Sequence, residues 1–198
     1  MTARIVMWLA VGLCVRMAFA GAWGEVPSGD AKELASMSQT EKLAYLQQAT
    51  FETPAERQQV VEYFGTRWDD EEGPVLIEFC KAMGRARVVE SVPVLVAHMD
   101  YRYFGEATAA GPSRTILQER FALEALASIG EPALAPATDH IVRRLGTATD
   151  RFELYFYRAA LKYLATRILG EKQGAEYVTA VVARQERILE QLHRMQEE

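Results

Sequence analysis

Between residues 75 and 145, apolar positions recur at intervals of three and four, and each run is cut by a glycine and reopened around a proline. Val75, Leu76, Phe79, Cys80 and Met83 form one stripe before Gly84, and Val92, Leu95, Val96 and Met99 form the next around Pro93. Ile116, Leu117, Phe121, Leu123 and Leu126 repeat the first stripe before Gly130. Leu134, Ala137, Ile141 and Leu145 repeat the second after Pro132. A period near 3.6 specifies helices with one apolar face. Glycine suits the position just past a helix end and proline the first turn of the next helix. The pattern therefore predicts an all-α fold of antiparallel helix pairs. One short pair cannot hide its stripe alone, so repetition predicts stacking of pair on pair into an α-solenoid.

The flanks extend the same grammar. Leu43 and Leu46 mark a short helix, and Thr53-Pro54-Ala55-Glu56 supplies a cap, a first-turn proline and a first-turn acid for a second helix carrying Val60, Val61 and Phe64 before Gly65. These two predict an opening pair over one end of the stack. Asp69-Asp70-Glu71-Glu72 reads as a charged helix start that complements the dipole. A weaker third copy of the repeat runs from Arg158 to Gly170. Residues 152 to 169 carry two overlapping stripes, one through Phe152, Phe156, Ala159 and Tyr163, the other through Leu154, Leu161, Leu164 and Ile168. A helix so widely apolar is expected to be covered on several sides. The last helix, from 175 to about 195, carries Val178, Val181, Val182, Ile188, Leu189, Leu192 and Met195, and either caps the stack or pairs with another chain. Residues 100 to 112 break the pattern, and a loop of that length in a compact array is uncommon unless it has a task.

The units 75–99 and 116–145 resemble HEAT-like repeats, particularly the bacterial kind named for the phycobilisome lyases. The residues that carry the likeness are Met83-Gly84 with Val92-Pro93-Val94-Leu95, and Ile129-Gly130 with Ala135-Pro136. The resemblance covers about half the chain directly and most of it by extension. It implies a curved binding scaffold and names no substrate; the bilin attachment of some members has no counterpart among these residues. One departure stands out. After Pro136 come Ala137, Thr138, Asp139 and His140 where the first unit has apolar residues, so either the second helix rotates and turns Leu134, Ala137, Ile141 and Leu145 inward, the plainer expectation, or polar residues are placed near the concave side.

Residues 1–22 combine Arg4, an apolar run from Ile5 to Val15 and small residues around Ala20-Gly21-Ala22, the physical requirements of an export signal. The run is too short for a lasting span of about 20 residues, and Leu13 before Cys14 does not fit a lipidation site. The expected mature protein starts near Trp23, is periplasmic or extracellular, and keeps no stable membrane span; the alternative is tethering by an uncleaved N-terminal segment. Residues 23–37 are expected to form a flexible lead and 38–198 one helical domain. Cleavage would remove two arginines and no acid, taking the formal net charge from -5 to -7. Such a chain has no basic stripe for phosphates, which argues against nucleic acid. Cys80 would remain as the one cysteine, so no internal disulfide staples the fold.

No motif for a nucleophile, a phosphate or a metalloprotease site occurs. His98, His140 and His193 stand on three predicted helices without a spacing that would chelate zinc, Cys80 lies on an apolar stripe where a small hydrophobe belongs, and the acids 69–72 lack the ligand spacing of a calcium loop. No catalytic residue, metal site or cofactor is assigned. Asp139 and Arg143, one turn apart, are expected to pair on the surface. Together with His140 and the loop residues Tyr101, Arg102 and Tyr103 they form the candidate binding patch, because tyrosine and arginine are enriched where partners dock. The expected function is an exported scaffold for a protein or peptide at the cell envelope. Two alternatives stand beside it: an enzyme or metal-dependent accessory protein with an unrecognised site, and a self-associating structural protein joined through the last helix.

Overall fold

The computed structural model describes residues 31–101 and 120–197. Residues 1–22 of the expected export signal, residues 23–30 of the expected lead, and the loop residues Arg102 and Tyr103 lie outside them. The described residues form helices α1 (Ala31–Ser36), α2 (Gln39–Gln48), α3 (Pro54–Arg67), α4 (Gly73–Ala86), α5 (Val92–Ala97), α6 (Phe121–Ile129), α7 (Glu131–Thr147), α8 (Arg151–Leu169) and α9 (Glu171–Glu197), with no strand among them. Short 3-10 turns at Trp68–Asp70 and Val89–Ser91 lead into α4 and α5.

Local chemistry explains the starts. Ser38 and Glu41 exchange bonds at the head of α2: the Glu41 N–H donates to Ser38 Oγ at 3.4 Å, and the Ser38 N–H donates to the Glu41 carboxylate at 2.7 Å. Thr53 Oγ1 accepts from the Glu56 N–H at 3.1 Å, with Pro54 in the first turn of α3 as its fixed φ favours. Asp150 does the same for α8, accepting from the Phe152 N–H at 3.2 Å. The expected flexible lead is corrected at its end. Residues 31–36 are helical and Leu34 is fully buried in the core, an apolar anchor that a small, polar composition concealed.

Helices alternate between two sets. α2 packs on α4, α4 on α6 and α6 on α8; on the other side α3 meets α5 and α5 meets α7. α8 is covered by α6, α7 and α9, as its broad apolar girth predicts. Its first turn departs from that expectation, since Phe152 is 54% and Tyr155 64% exposed. The core runs unbroken from Leu34 through Phe64, Phe79, Met83, Leu95, Leu126 and Ile141 to Leu164. At its centre Phe64 and Phe79 stack at 4.3 Å between ring centroids, with Trp68 edge-on to Phe79 at 6.2 Å. Cys80 is buried in this core, and burial pushes its thiol well above the ordinary value, so it packs as a hydrophobe.

The glycines and prolines need correction. Gly130 is a true corner, with φ of 91° between α6 and α7. Gly84 is not: α4 continues to Ala86 and turns at Arg87, whose φ is 51°. A Cβ at Gly84 would lie 3.1 Å from Ala125 Cα, so this glycine allows α4 and α6 to touch backbone to backbone. Gly65 instead makes room for a side chain, because a Cβ there would meet Val94 Cγ2 at 3.0 Å. The proline that corresponds to Pro93 is Pro132, not Pro136, since both Pro93 and Pro132 stand in the first turn of their helices. Ala133 and Leu134 then fill the places of Val94 and Leu95, and the apparent departure after Pro136 disappears. Leu134, Ala137 and Ile141 do face inward, joined by Thr138, while Leu145 is partly covered.

Candidate docking groove

α7 presents two faces besides its buried one, and the proposed patch is divided between them. Asp139 and Arg143 face α9. Together with Thr138 and Val142 they form one wall of a groove of about 630 Å³, opposite Tyr177, Ala180, Val181 and Arg184. That size lies within the range of about 300–1,000 Å³ usual for binding clefts. α7 and α9 touch where the Tyr177 hydroxyl meets Thr138 Oγ1 at 3.0 Å, and the groove runs from there toward Arg143 and Gln185. The floor is alanine and valine and the rim is charged. The expected Asp139–Arg143 ion pair is not formed: among the described residues neither they nor Arg184 take part in one. Both arginines thus reach the rim with their donor forks uncommitted, the state in which guanidinium best receives a carboxylate.

His140 faces the other way, toward α8. Its ring lies 6.2 Å from Tyr157, whose hydroxyl accepts from Arg144 Nε at 2.9 Å and meets Asp100 Oδ2 at 3.2 Å. Arg144 also pairs with Glu153 at 2.6 Å. This network ties the end of α5 to α7 and α8. Burial lowers the His140 pKa, and the positive charges of Arg143 and Arg144 lower it further against the pull of Asp100, so the ring is neutral at neutral pH. Burial raises the Tyr157 hydroxyl, and the nearby Arg144 partly opposes that shift.

Tyr101 belongs to a third neighbourhood. It stands edge-on to Trp68 at 5.4 Å, and His98 stacks flat on the same indole at 4.0 Å. Tyr101 therefore folds back on Trp68. The side chain of His193 is not among those described. The structure thus brings Asp139 and Arg143 together and sends His140 and Tyr101 elsewhere. Among the described residues no three carboxylate, imidazole or thiol groups converge as metal ligands would, and no described helix is long and apolar enough to cross a membrane.

Arg184, Tyr177 and the inward Thr138 were missed in the sequence. A signal for them was present: Tyr177 is the one aromatic residue of the last helix, and Arg184 and Gln185 interrupt its apolar spacing. Comparison of the chain with protein-family models, curated proteins and solved structures gave no match.

Proposed function

We propose that this chain is a short HEAT-like solenoid, exported to the cell envelope, that works as a scaffold and holds a helical segment of a protein partner in the groove between α7 and α9. The groove carries the reading. It pairs an apolar floor with unpaired arginines on its rim, a combination that suits a segment with one apolar face and carboxylates beside it. The alternation of helices in two sets, each touching the next of its own set, supports the solenoid half of the proposal. The apolar N-terminal run and its small-residue ending support export, and the first residue of the protein recovered from cells, expected near Trp23, tests that part. For the groove, a photo-crosslinking group at Ala180 should trap a discrete partner in intact cells, whereas the same group at the exposed Glu62 of α3 should not. Equal labelling from both positions would remove the groove from the function.

A further inference from the structure

We infer that the outward face of α8, with the cleft beside it, is a second docking surface and takes an acidic amphipathic helix of a protein partner. Apolar side chains of that helix enter the cleft, and two of its carboxylates, one turn apart, meet Arg158 and Lys162. The inference goes beyond the α7–α9 groove, since among the described residues the two hollows share only Gln185. α9 turns Ala180 and Arg184 to the groove and Val178 and Val182 to the cleft, positions about half a turn apart.

Charge is the first reason. Arg151, Tyr155, Arg158 and Lys162 follow one another at four, three and four residues, so they share one face of α8, with Phe152 beside them, and all five are exposed. Glu153, the only acid of α8, is turned to α7, where it pairs with Arg144. Among the described residues Arg151, Arg158 and Lys162 enter no ion pair. A chain of net charge -5 thus presents on this face three free cations and no carboxylate. Such a face attracts an acidic surface.

The cleft decides which kind of acidic surface. It holds about 450 Å³ between α8 and α9 and is lined by apolar Leu154, Leu161, Val178 and Val182 together with Arg158 and Lys162. A flat anionic bilayer could rest on Phe152 and Tyr155 but would not reach into this hollow, whereas the side chains of a helix fill it. Arg158 and Lys162 stand one turn apart, so their Cβ atoms are about 5–6 Å apart, the spacing of carboxylates at i and i+4 on a facing helix. Tyrosine and arginine are also the side chains on which bound segments most often anchor.

The probe is a synthetic helical peptide with leucines on one face and glutamates one turn apart beside them, followed by fluorescence anisotropy. The purified protein carries Ala180→Glu throughout, because a carboxylate there repels the peptide from the α7–α9 groove and leaves the cleft as the site measured. This protein should bind the peptide. Arg158→Glu and Lys162→Glu, added singly, should each weaken binding about fivefold with unchanged helical circular dichroism, and Val182→Glu in the cleft wall should act in the same direction. A peptide with glutamine in place of glutamate should bind more weakly than its parent. No binding by the Ala180→Glu protein overturns the inference, and binding that persists without that substitution then leaves the groove reading standing. Binding that ignores both Arg158→Glu and Lys162→Glu also overturns it. So does attachment to phosphatidylglycerol vesicles that needs those two residues and that the peptide does not compete away, a result that would give the face to a membrane.

Discussion

α4 and α9 carry apolar stripes of similar quality and meet opposite fates. Every member of the α4 stripe, from Val75 through Phe79 to Met83, is buried, because α2 and α6 lie along it. Along α9, among residues 171–187, only Gly174 is buried. The contrast shows what a hydrophobic pattern specifies. It states that a helix needs a neighbour, and its place among the packed helices decides whether the chain itself supplies one. α4 is covered by a helix on each side, whereas α9 rests chiefly on α8.

The largest effects should therefore come from α4 and its surroundings. Phe79→Ala removes a ring stacked on Phe64 and is expected to cost about 3–5 kcal/mol in urea unfolding. Val181→Ala in the half-covered stripe of α9 should cost less than about 1 kcal/mol in the monomer. Similar losses at the two sites would erase the distinction. Next in size is the buried pair beside α4. Lys42 Nζ lies 2.5 Å from Glu71, whose other partner is the Tyr63 hydroxyl, and the side chains of Lys42 and Glu71 are 11% and 8% exposed. Burial alone would lower the Lys42 pKa, but Glu71 and Tyr63 outweigh it and raise it. Glu71→Ala strands the ammonium and should cost about 3 kcal/mol. A double substitution, Lys42→Met with Glu71→Ala, should recover part of that loss, because no buried charge is then left alone.

Helix type and order were legible because periodicity and caps are local: Thr53 and Pro54 announce α3 whatever it packs on. The meaning of each glycine was not. Gly84 and Gly130 look alike in sequence, each following a residue of an apolar stripe, and only the approach of Ala125 shows that the first is a contact point. Pro136 misled in the same way, since Pro132 four residues earlier already occupied the first turn. The site was half legible. Residue type pointed to Asp139 and Arg143, which share one wall of the groove, but which of two consecutive residues faces which neighbour depends on the rotation of α7, and that is fixed by Ala133, Ala137 and Ile141 seating in the core. Arg184 lies far along the chain, and nothing local connects it to Arg143.

α9 is nevertheless locked to α8 at one point, which sharpens the comparison. A Cβ at Gly174 would fall 2.8 Å from the carbonyl carbon and oxygen of Ala165, backbone atoms that cannot turn aside. Gly174→Ala should push α9 off α8 and cost about 1–3 kcal/mol. Gly146→Ala, near the end of α7 with nothing within 4 Å, should instead gain a fraction of a kcal/mol from helix propensity. Thermal unfolding of the two variants should therefore shift in opposite directions. Two shifts of the same sign would mean that α9 does not rest on α8 at Gly174.

The smallest expected effect separates the two halves by pH. Burial lowers the pKa of His98 beside α4 and of His140 beside α8; Asp69 and Asp100 oppose the shift at the first, while Arg143 and Arg144 reinforce it at the second. A depressed folded pKa means that the unfolded chain takes up its proton first. Stability is then fully present above the ordinary value of 6.5 and falls as pH drops below it toward the folded value. Glu41 and Glu90 are also lowered, mainly by hydrogen bonds, but from 4.5, so their contribution is lost only below that pH. Melting temperatures measured between pH 7.5 and about 5 should isolate the histidines. His140→Gln should flatten the decline more than His98→Gln, because Arg143 and Arg144 work with burial at His140 against Asp100 alone, whereas Asp69 and Asp100 both work against burial at His98. An unchanged slope in the His140 variant would show that the α7–α8 junction takes up the proton without loss.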